Sequence, residues 1–248
     1  MSSLNMGAKQ LVLIGDQNQL GPSVIVNDLQ DIGFGRSFFE RLIANGAEPI
    51  MLNKQYRMHP VIAEFSNDNF YNSQINTVVE ASERTDQELQ DIWEDSLYPI
   101  LFCRLTHAEE ISSSGTSYIN RYEYVAVESY LTQFRERGVA AENIGVVSFY
   151  GGQVKECKRR LCRKSEKVSD PFYENVEVSS VDGFQGKEKK YIILTCVRSN
   201  SSNSIGFVDD KKRMNVAITR AMNGLVIIGN PDILASSPAW EILIKYYR

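Results

Sequence analysis

Apolar residues in this chain gather into short continuous runs, separated by longer stretches where they recur at helical spacing. The runs fall at residues 10–14, 49–52, 99–104, 143–148, 176–181, 191–197 and 224–229. Several are apolar on both faces, as in Ile144-Gly145-Val146-Val147 and Leu225-Val226-Ile227-Ile228. Unbroken rather than alternating hydrophobicity suits strands of a parallel sheet covered on both sides. Helical spacing appears at 36–44, with Phe38, Phe39, Leu42 and Ile43, and at 121–137, with Val125, Val127, Tyr130, Leu131 and Phe134. Further helices are predicted at 152–163, 213–221 and 238–246. Strand–helix alternation with short connections predicts an α/β doubly wound fold. Residues 80–97 break the rhythm: they are acidic, carry few apolar residues and read as a surface excursion. Residues 112–117 and 199–204 read as polar loops, and no internal repeat is present.

Composition narrows this picture only modestly. With 248 residues, 43% hydrophobic and 23% charged, the chain is long enough for a sizeable core. A net charge of −4 argues against strong free-standing electrostatic binding to nucleic acid. A local basic groove stays open as a reading of Lys155, Lys158, Arg159, Arg160, Arg163, Lys164 and Lys167, as does a solvated helix face. Lys211, Lys212 and Arg213 form a second cluster. Cys103, Cys157, Cys162 and Cys196 make no C-x-x-C pair and neither histidine is near one, so no zinc site is expected. Isolated cysteines suggest a reducing, cytoplasmic or nuclear setting, and no apolar run approaches a membrane span.

The candidate chemistry is phosphate chemistry. Arg57 lies in Gln55-Tyr56-Arg57-Met58-His59-Pro60, and Arg220 in Arg213-Met214-Asn215-Val216-Ala217-Ile218-Thr219-Arg220-Ala221. Gln19 lies in Gly15-Asp16-Gln17-Asn18-Gln19-Leu20-Gly21-Pro22. Arginine offers a permanently charged planar fork to phosphate oxygens, and glutamine can both donate to a phosphate and orient a water. Each residue also has a plainer reading. Arg57 would cap a helix beginning near Pro60, Arg220 would pair with Asp209 or Asp210, and Asp16 would sit in a tight turn. No G-x-x-x-x-G-K-[ST] loop occurs in the sequence, so the cradle for the β and γ phosphates would come from elsewhere.

These motifs resemble those of superfamily-one helicases. GDQNQLGP is similar to motif III, QYRMHP to motif IV, Val181-Asp182-Gly183-Phe184-Gln185-Gly186-Lys187-Glu188 to motif V and RMNVAITRA to motif VI. Within that superfamily the chain resembles the up-frameshift-type RNA helicases of nonsense-mediated mRNA decay, from about Gly7 to Tyr247. Further similar stretches are residues 37–42, 109–118, 192–200 and Gly229-Asn230-Pro231. Gln17-Asn18 and Met222-Asn223 depart from the family pattern without removing an expected phosphate contact.

The resemblance implies a RecA-like P-loop NTPase fold of α/β class, with helices on both faces of a parallel sheet and no phosphate-binding loop in this half. Residues 1–34 would hold the last strand and motif III of a first RecA-like domain, and residues 35–248 a second. ATP and Mg2+ would bind only in the complete two-domain enzyme, between the domains, and this half would supply arginines in trans. Gln19 would sense the γ-phosphate, and Arg57 and Arg220 would contact it, with Arg220 as the arginine finger. Tyr56, Gly186 and Glu188 would bind the nucleotide. Tyr56 could equally fill the core, and Glu188 could equally be a solvated acid beside Lys187, Lys189 and Lys190. Tyr150, Gln153, Ser179 and Ser180 would face single-stranded RNA, with the amino end of the helix at Gly151-Gly152 offering N–H groups to a phosphate. Asp182 would brace its loop by accepting from backbone N–H groups. The expected partners are the first RecA-like domain, RNA and decay-factor proteins, in the cytoplasm. This half alone would be inactive as an ATPase. The competing expectation is a non-catalytic RecA-like module that binds RNA or protein.

Overall fold

The computed structural model describes residues 7, 9–22, 24, 33–93 and 97–247. The chain divides into two compact units, residues 1–51 and 52–248; the boundary expected at 34/35 falls inside the first. In that unit, helix α1 (Phe38–Ala44) starts at a reciprocal capping box: the Ser37 hydroxyl accepts from Glu40 N at 3.1 Å, and Ser37 N donates to the Glu40 carboxylate at 2.8 Å. The strand expected at 10–14 does not form. Val12 is 84% and Ile14 92% exposed, and no described neighbour offers it a ladder of hydrogen bonds. The run at 49–52 is likewise irregular and exposed. Apolar composition alone cannot make a strand that has no partner.

The second unit is built in chain order as follows. Strand β1 (Lys54–Gln55), helix α2 (Pro60–Phe70) and strand β2 (Asn76–Thr77) open it. Two 3-10 turns, Ala81–Arg84 and Gln87–Ile92, lead to β3 (Ile100–Arg104), β4 (Glu110–Ile111) and β5 (Tyr118–Ile119). Then come α3 (Arg121–Glu136), β6 (Ile144–Ser148), α4 (Gly151–Val168), α5 (Phe172–Asn175) and β7 (Glu177–Ser180). The chain continues with α6 (Val181–Phe184), β8 (Lys189–Thr195), α7 (Lys211–Ile218), β9 (Ala221–Gly229), α8 (Pro231–Leu234) and α9 (Pro238–Tyr246).

The central sheet is five-stranded, ordered β3-β9-β8-β6-β7, and every pairing is parallel. Its path explains why both faces are covered. From β3 through β6 to β7 the chain moves one way across the sheet; from β7 through β8 to β9 it moves back. Right-handed crossovers in opposite directions put their helices on opposite faces. One face packs Val146, Tyr191, Ile193, Val226 and Ile228 against Tyr124, Val127, Leu131 and Phe134 of α3 and Cys157 and Leu161 of α4. The alternate set, including Val147, Ile192, Leu194, Leu225 and Ile227, is as deeply buried and points the other way. The second layer is tied together by polar and aromatic contacts. Ser66 of α2 donates to Asn215 of α7 at 2.6 Å, and Phe65 of α2 meets Tyr246 of α9 edge to face. This is the RecA-like α/β arrangement.

The excursion at 80–97 is corrected by the structure within its described part. Leu89, Ile92 and Trp93 are buried in the core face shared with α3, and Trp93 lies within stacking range of Tyr191. Gly224 makes the fit possible, since a Cβ there would sit 2.4 Å from the Trp93 ring. Among the described residues, no helix is long and apolar enough to cross a membrane.

Candidate functional site

In the first unit, Gln19 is held close to its own turn. Its Nε2 donates to the Asp16 carboxylate at 2.8 Å, and Asn18 N donates to the same carboxylate at 2.9 Å. Asp16 is thus the acceptor that closes the turn and fixes the amide.

In the second unit, the segment after β1 is shaped by Gln55. Its Oε1 accepts from Arg57 N and Met58 N, both at 2.9 Å, while its Nε2 donates to Met58 O and to Thr77 Oγ1, both at 3.0 Å. One amide therefore satisfies the tight bend and ties it to β2. His59, not Arg57, caps α2: its Nδ1 accepts from Val61 N at 3.2 Å, and burial lowers its pKa, keeping the ring a neutral acceptor. Arg57 is left to point elsewhere. Its Nε donates to the Glu188 carboxylate and its Nη1 to Thr219 O at 3.4 Å. Arg84, from the 3-10 excursion, grips the backbone of this segment: its Nε donates to Arg57 O at 2.8 Å and its Nη2 to Tyr56 O at 3.0 Å. Tyr56 itself is 59% exposed and fills no core.

Arg220 sits between α7 and β9 and is only 2% exposed. Its Nε donates to Val216 O at 2.9 Å, its Nη2 to Thr219 Oγ1 at 2.8 Å and its Nη1 to Lys187 O at 3.3 Å. The alternative pairing with Asp209 or Asp210 is not what the structure shows. Asp210 caps α7 through Lys212 N and Arg213 N and pairs with Arg213 at 3.1 Å. Arg57 and Arg220 thus converge on Thr219, one on its carbonyl and one on its hydroxyl. Lys187 and Glu188 complete the cluster at the amino ends of β8 and β9. Gly186 precedes them at φ +79°, a left-handed conformation that costs glycine little.

The residues expected to face RNA lie at the opposite, carboxyl ends of the strands. Ser179 and Ser180 end β7, half-buried, and the Ser180 hydroxyl caps α6 by accepting from Gly183 N at 3.1 Å. Tyr150 is buried, with its hydroxyl accepting from Arg198 Nη1 at 3.1 Å. Gln153 is corrected: it is fully buried, so it has no surface to offer a strand of RNA. Its Oε1 accepts from Asn120 N at 2.9 Å, and its Nε2 donates to Asn120 O at 3.1 Å and Thr195 Oγ1 at 3.3 Å. It locks the starts of α3 and α4 to the end of β8. Gly152 N is likewise taken, donating to Ser117 Oγ at 3.0 Å. Asp182 pairs with Arg213 at 3.1 Å instead of bracing backbone N–H groups.

Behind this edge lies a buried polar network. Glu123, 0% exposed, accepts from Val197 N at 2.9 Å and from the Thr195 hydroxyl. Burial pushes its pKa up to about 8, against the lowering effect of Thr195 and the Val197 and Cys196 N–H groups. Val197 sits at φ +72°, strained for a β-branched residue, and Glu123 helps hold it there. Arg198 forms a buried pair with Glu109 at 3.0 Å and lies 4.5 Å over the Tyr118 ring.

Comparison with known proteins agrees with this architecture. The chain is 43% identical over 245 residues to the regulator of nonsense transcripts 1 homolog of Arabidopsis thaliana, covering 99% of this chain and 20% of that protein. It is 42% identical over 242 residues to the ATP-dependent helicase NAM7 of Saccharomyces cerevisiae, covering 98% and 25%. It is 42% identical over 248 residues to the ATP-dependent helicase upf1 of Schizosaccharomyces pombe, covering 100% and 27%. The chain therefore spans about a fifth to a quarter of the length of these relatives. Residues 34–232 match the AAA domain family, and the chain belongs to that family.

Proposed function

We propose that this chain is the carboxy-terminal motor half of an ATP-dependent RNA helicase of nonsense-mediated mRNA decay. The observation that carries the reading is the convergence of Arg57 and Arg220 on Thr219 at the amino ends of β8 and β9. Arg57 reaches the Thr219 carbonyl and Arg220 its hydroxyl, so two permanent positive charges stand beside one residue, an arrangement that suits an anion. Arg220 is locked by three hydrogen bonds, which is the rigidity that electrostatic stabilisation of a transferring phosphoryl group needs. Arg57 is the adjustable member. Its pairing with Glu188 is about a third exposed on the arginine side, so it is a weak tie. A γ-phosphate would replace one anion with another.

Gln19 belongs to the same reading as the γ-phosphate sensor contributed with the first domain. The exposed Tyr56 ring would lie against the adenine or ribose, with Gly186 and Glu188 shaping that side of the nucleotide. ATP with Mg2+ is the implied cofactor. The phosphate loop and metal carboxylates would come from the first RecA-like domain, whose end residues 1–34 would supply. Ser179, Ser180 and the loop around Tyr150 would form the RNA edge, with decay factors as protein partners in the cytoplasm. In the full-length protein, Arg220→Ala should lower ATP turnover about 10³-fold or more, the scale of an arginine-finger loss. A near-normal rate would end this assignment.

A further inference from the structure

Helix α4 carries seven cations, Lys155, Lys158, Arg159, Arg160, Arg163, Lys164 and Lys167, and only two carboxylates, Glu156 and Glu166. This occurs in a chain of net charge −4. Gln153, Cys157, Leu161 and Ser165 recur every four residues and take the core side, so the cations occupy the rest of the helix surface. Four pairs of like charge stand at i,i+4: 155/159, 159/163, 160/164 and 163/167. Each costs the helix about 0.2–0.5 kcal/mol. An inert solvated face has no need to concentrate one sign in this way.

Part of the charge is organised. Glu156 holds Arg159 at 2.7 Å and Arg160 at 2.6 Å, and Glu128 of α3 holds Lys164 at 2.8 Å. The Arg160 guanidinium lies 4.8 Å over the Tyr124 ring. These contacts fix the floor of a groove of about 460 Å³ between the two helices, walled by Arg121 and Glu128 on one side and Arg160, Arg163, Lys164 and Lys167 on the other. Lys155, Lys158, Arg163 and Lys167 are exposed and have no carboxylate partner among the described residues. Tyr124 is buried with its hydroxyl donated to Glu128 at 2.8 Å, so the groove presents charge without a ring for a base or a pocket for an apolar anchor.

Both walls begin at one place. Asn120, capping α3, donates to Val197 O just past the end of β8, and α4 starts three residues past the end of β6. The groove therefore leads away from the carboxyl edge of the sheet, where Ser179 and Ser180 lie. Its free cations are Arg163 and Lys167, one turn apart on α4 and ~6 Å along the helix axis, while Lys155 and Lys158 stand on the helix outside it. We propose that the groove between α3 and α4 is an accessory track for the phosphate backbone of RNA leaving that edge. This rests on the RNA-helicase reading above and adds to it a second, sequence-independent contact surface. A repeating phosphate fits a lining in which cations outnumber the one carboxylate, whereas an acidic peptide ordinarily needs a buried anchor as well.

The test is a salt titration of binding to a labelled 20-nucleotide oligouridine, read by fluorescence anisotropy. It compares this chain with the variant Arg163→Glu, Lys167→Glu. Neither side chain holds a hydrogen bond to a described residue, and an unchanged thermal midpoint would establish that the variant is folded. The expected result is at least a tenfold loss of affinity at low salt. The slope of log K against log salt should also fall by about 1.4, at about 0.7 per phosphate contact for two contacts. An unchanged slope, or no oligouridine binding by the parent chain at low salt, overturns the track. So does displacement of the RNA by a glutamate 20-mer that binds more tightly, which would make the partner an acidic protein. The helicase reading stands or falls separately, on Arg220→Ala turnover in the full-length protein.

Discussion

Arg84 separates geometry from charge at the candidate nucleotide site. It lies away from Thr219, yet two of its donors hold the carbonyls of Tyr56 and Arg57. Charged hydrogen bonds of this kind contribute about 1.5–3 kcal/mol each, and small misplacements of catalytic groups cost up to ~10²-fold in rate. In the full-length protein, Arg84→Ala should therefore lower kcat for ATP about tenfold or more while RNA affinity holds, and Arg84→Lys should restore part of the loss. Equal losses in kcat and RNA affinity would reduce Arg84 to a general structural role. Glu188 supports a prediction of opposite sign. If it restrains Arg57, Glu188→Gln should lower KM for ATP by up to about fivefold, because an exposed pair is worth at most about 1 kcal/mol. A raised KM in steady-state turnover would instead make Glu188 a direct nucleotide ligand. Arg57 and Arg220 stood out in the sequence as candidates because their motifs are distinctive. Arg84 was not, since a lone arginine in an acidic stretch carries no periodic or spacing signal. Gln153 misled in the other direction: its motif suggested a surface contact, and only the fold reveals that it is buried with both ends of its amide held by Asn120 and Thr195.

Elements were legible where burial follows from local pattern. The five strands of the central sheet coincide with apolar runs that read as strands, and α3, α4 and α9 match their helical spacing. Two apolar runs, at 10–14 and 49–52, were misread because a strand also needs a hydrogen-bonding neighbour, which no one-dimensional pattern supplies. The acidic excursion failed for the converse reason. Its buried residues, Leu89, Ile92 and Trp93, are few and lie at or just past a 3-10 turn too short to show a period, yet they pack against Phe134 and Tyr191. This gives the excursion a thermodynamic weight that its composition hides. Trp93→Ala should cost about 3–5 kcal/mol in urea unfolding, the range for a large aromatic removed from a core. A loss below about 1 kcal/mol would mean the segment is only loosely docked. Because Arg84 rides on the same segment, the packing of Trp93 and the placement of Arg57 are two ends of one strut.

At the scale of the whole molecule, the buried network around Glu123 should set how stability depends on pH. Glu123 joins the first turn of α3 to the end of β8, and burial pushes its pKa up to about 8 from an ordinary value of 4.5. Between those values the folded chain keeps a proton that the unfolded chain releases. The folded state is therefore favoured most below about 4.5, and that contribution is lost as pH rises through about 8. Several groups act on the acid side, among them His59 and Glu177. Burial lowers the pKa of His59, so the unfolded chain gains a proton there first as pH falls. The Lys187 ammonium, hydrogen-bonded to Glu177, holds that carboxyl below its usual range, so its contribution is also lost in acid. The opposing trends put maximum stability in mildly acidic solution. The thermal midpoint should thus fall steadily from about pH 6 to pH 8.5 in scanning calorimetry. Glu123→Gln keeps an oxygen for Val197 N and an amide for the Thr195 hydroxyl but cannot titrate, so its midpoint should be nearly flat over the same interval. A parent profile as flat as that of the variant would show that Glu123 releases its proton at an ordinary pH in the folded chain, and that the Val197 loop is held by a buried carboxylate anion.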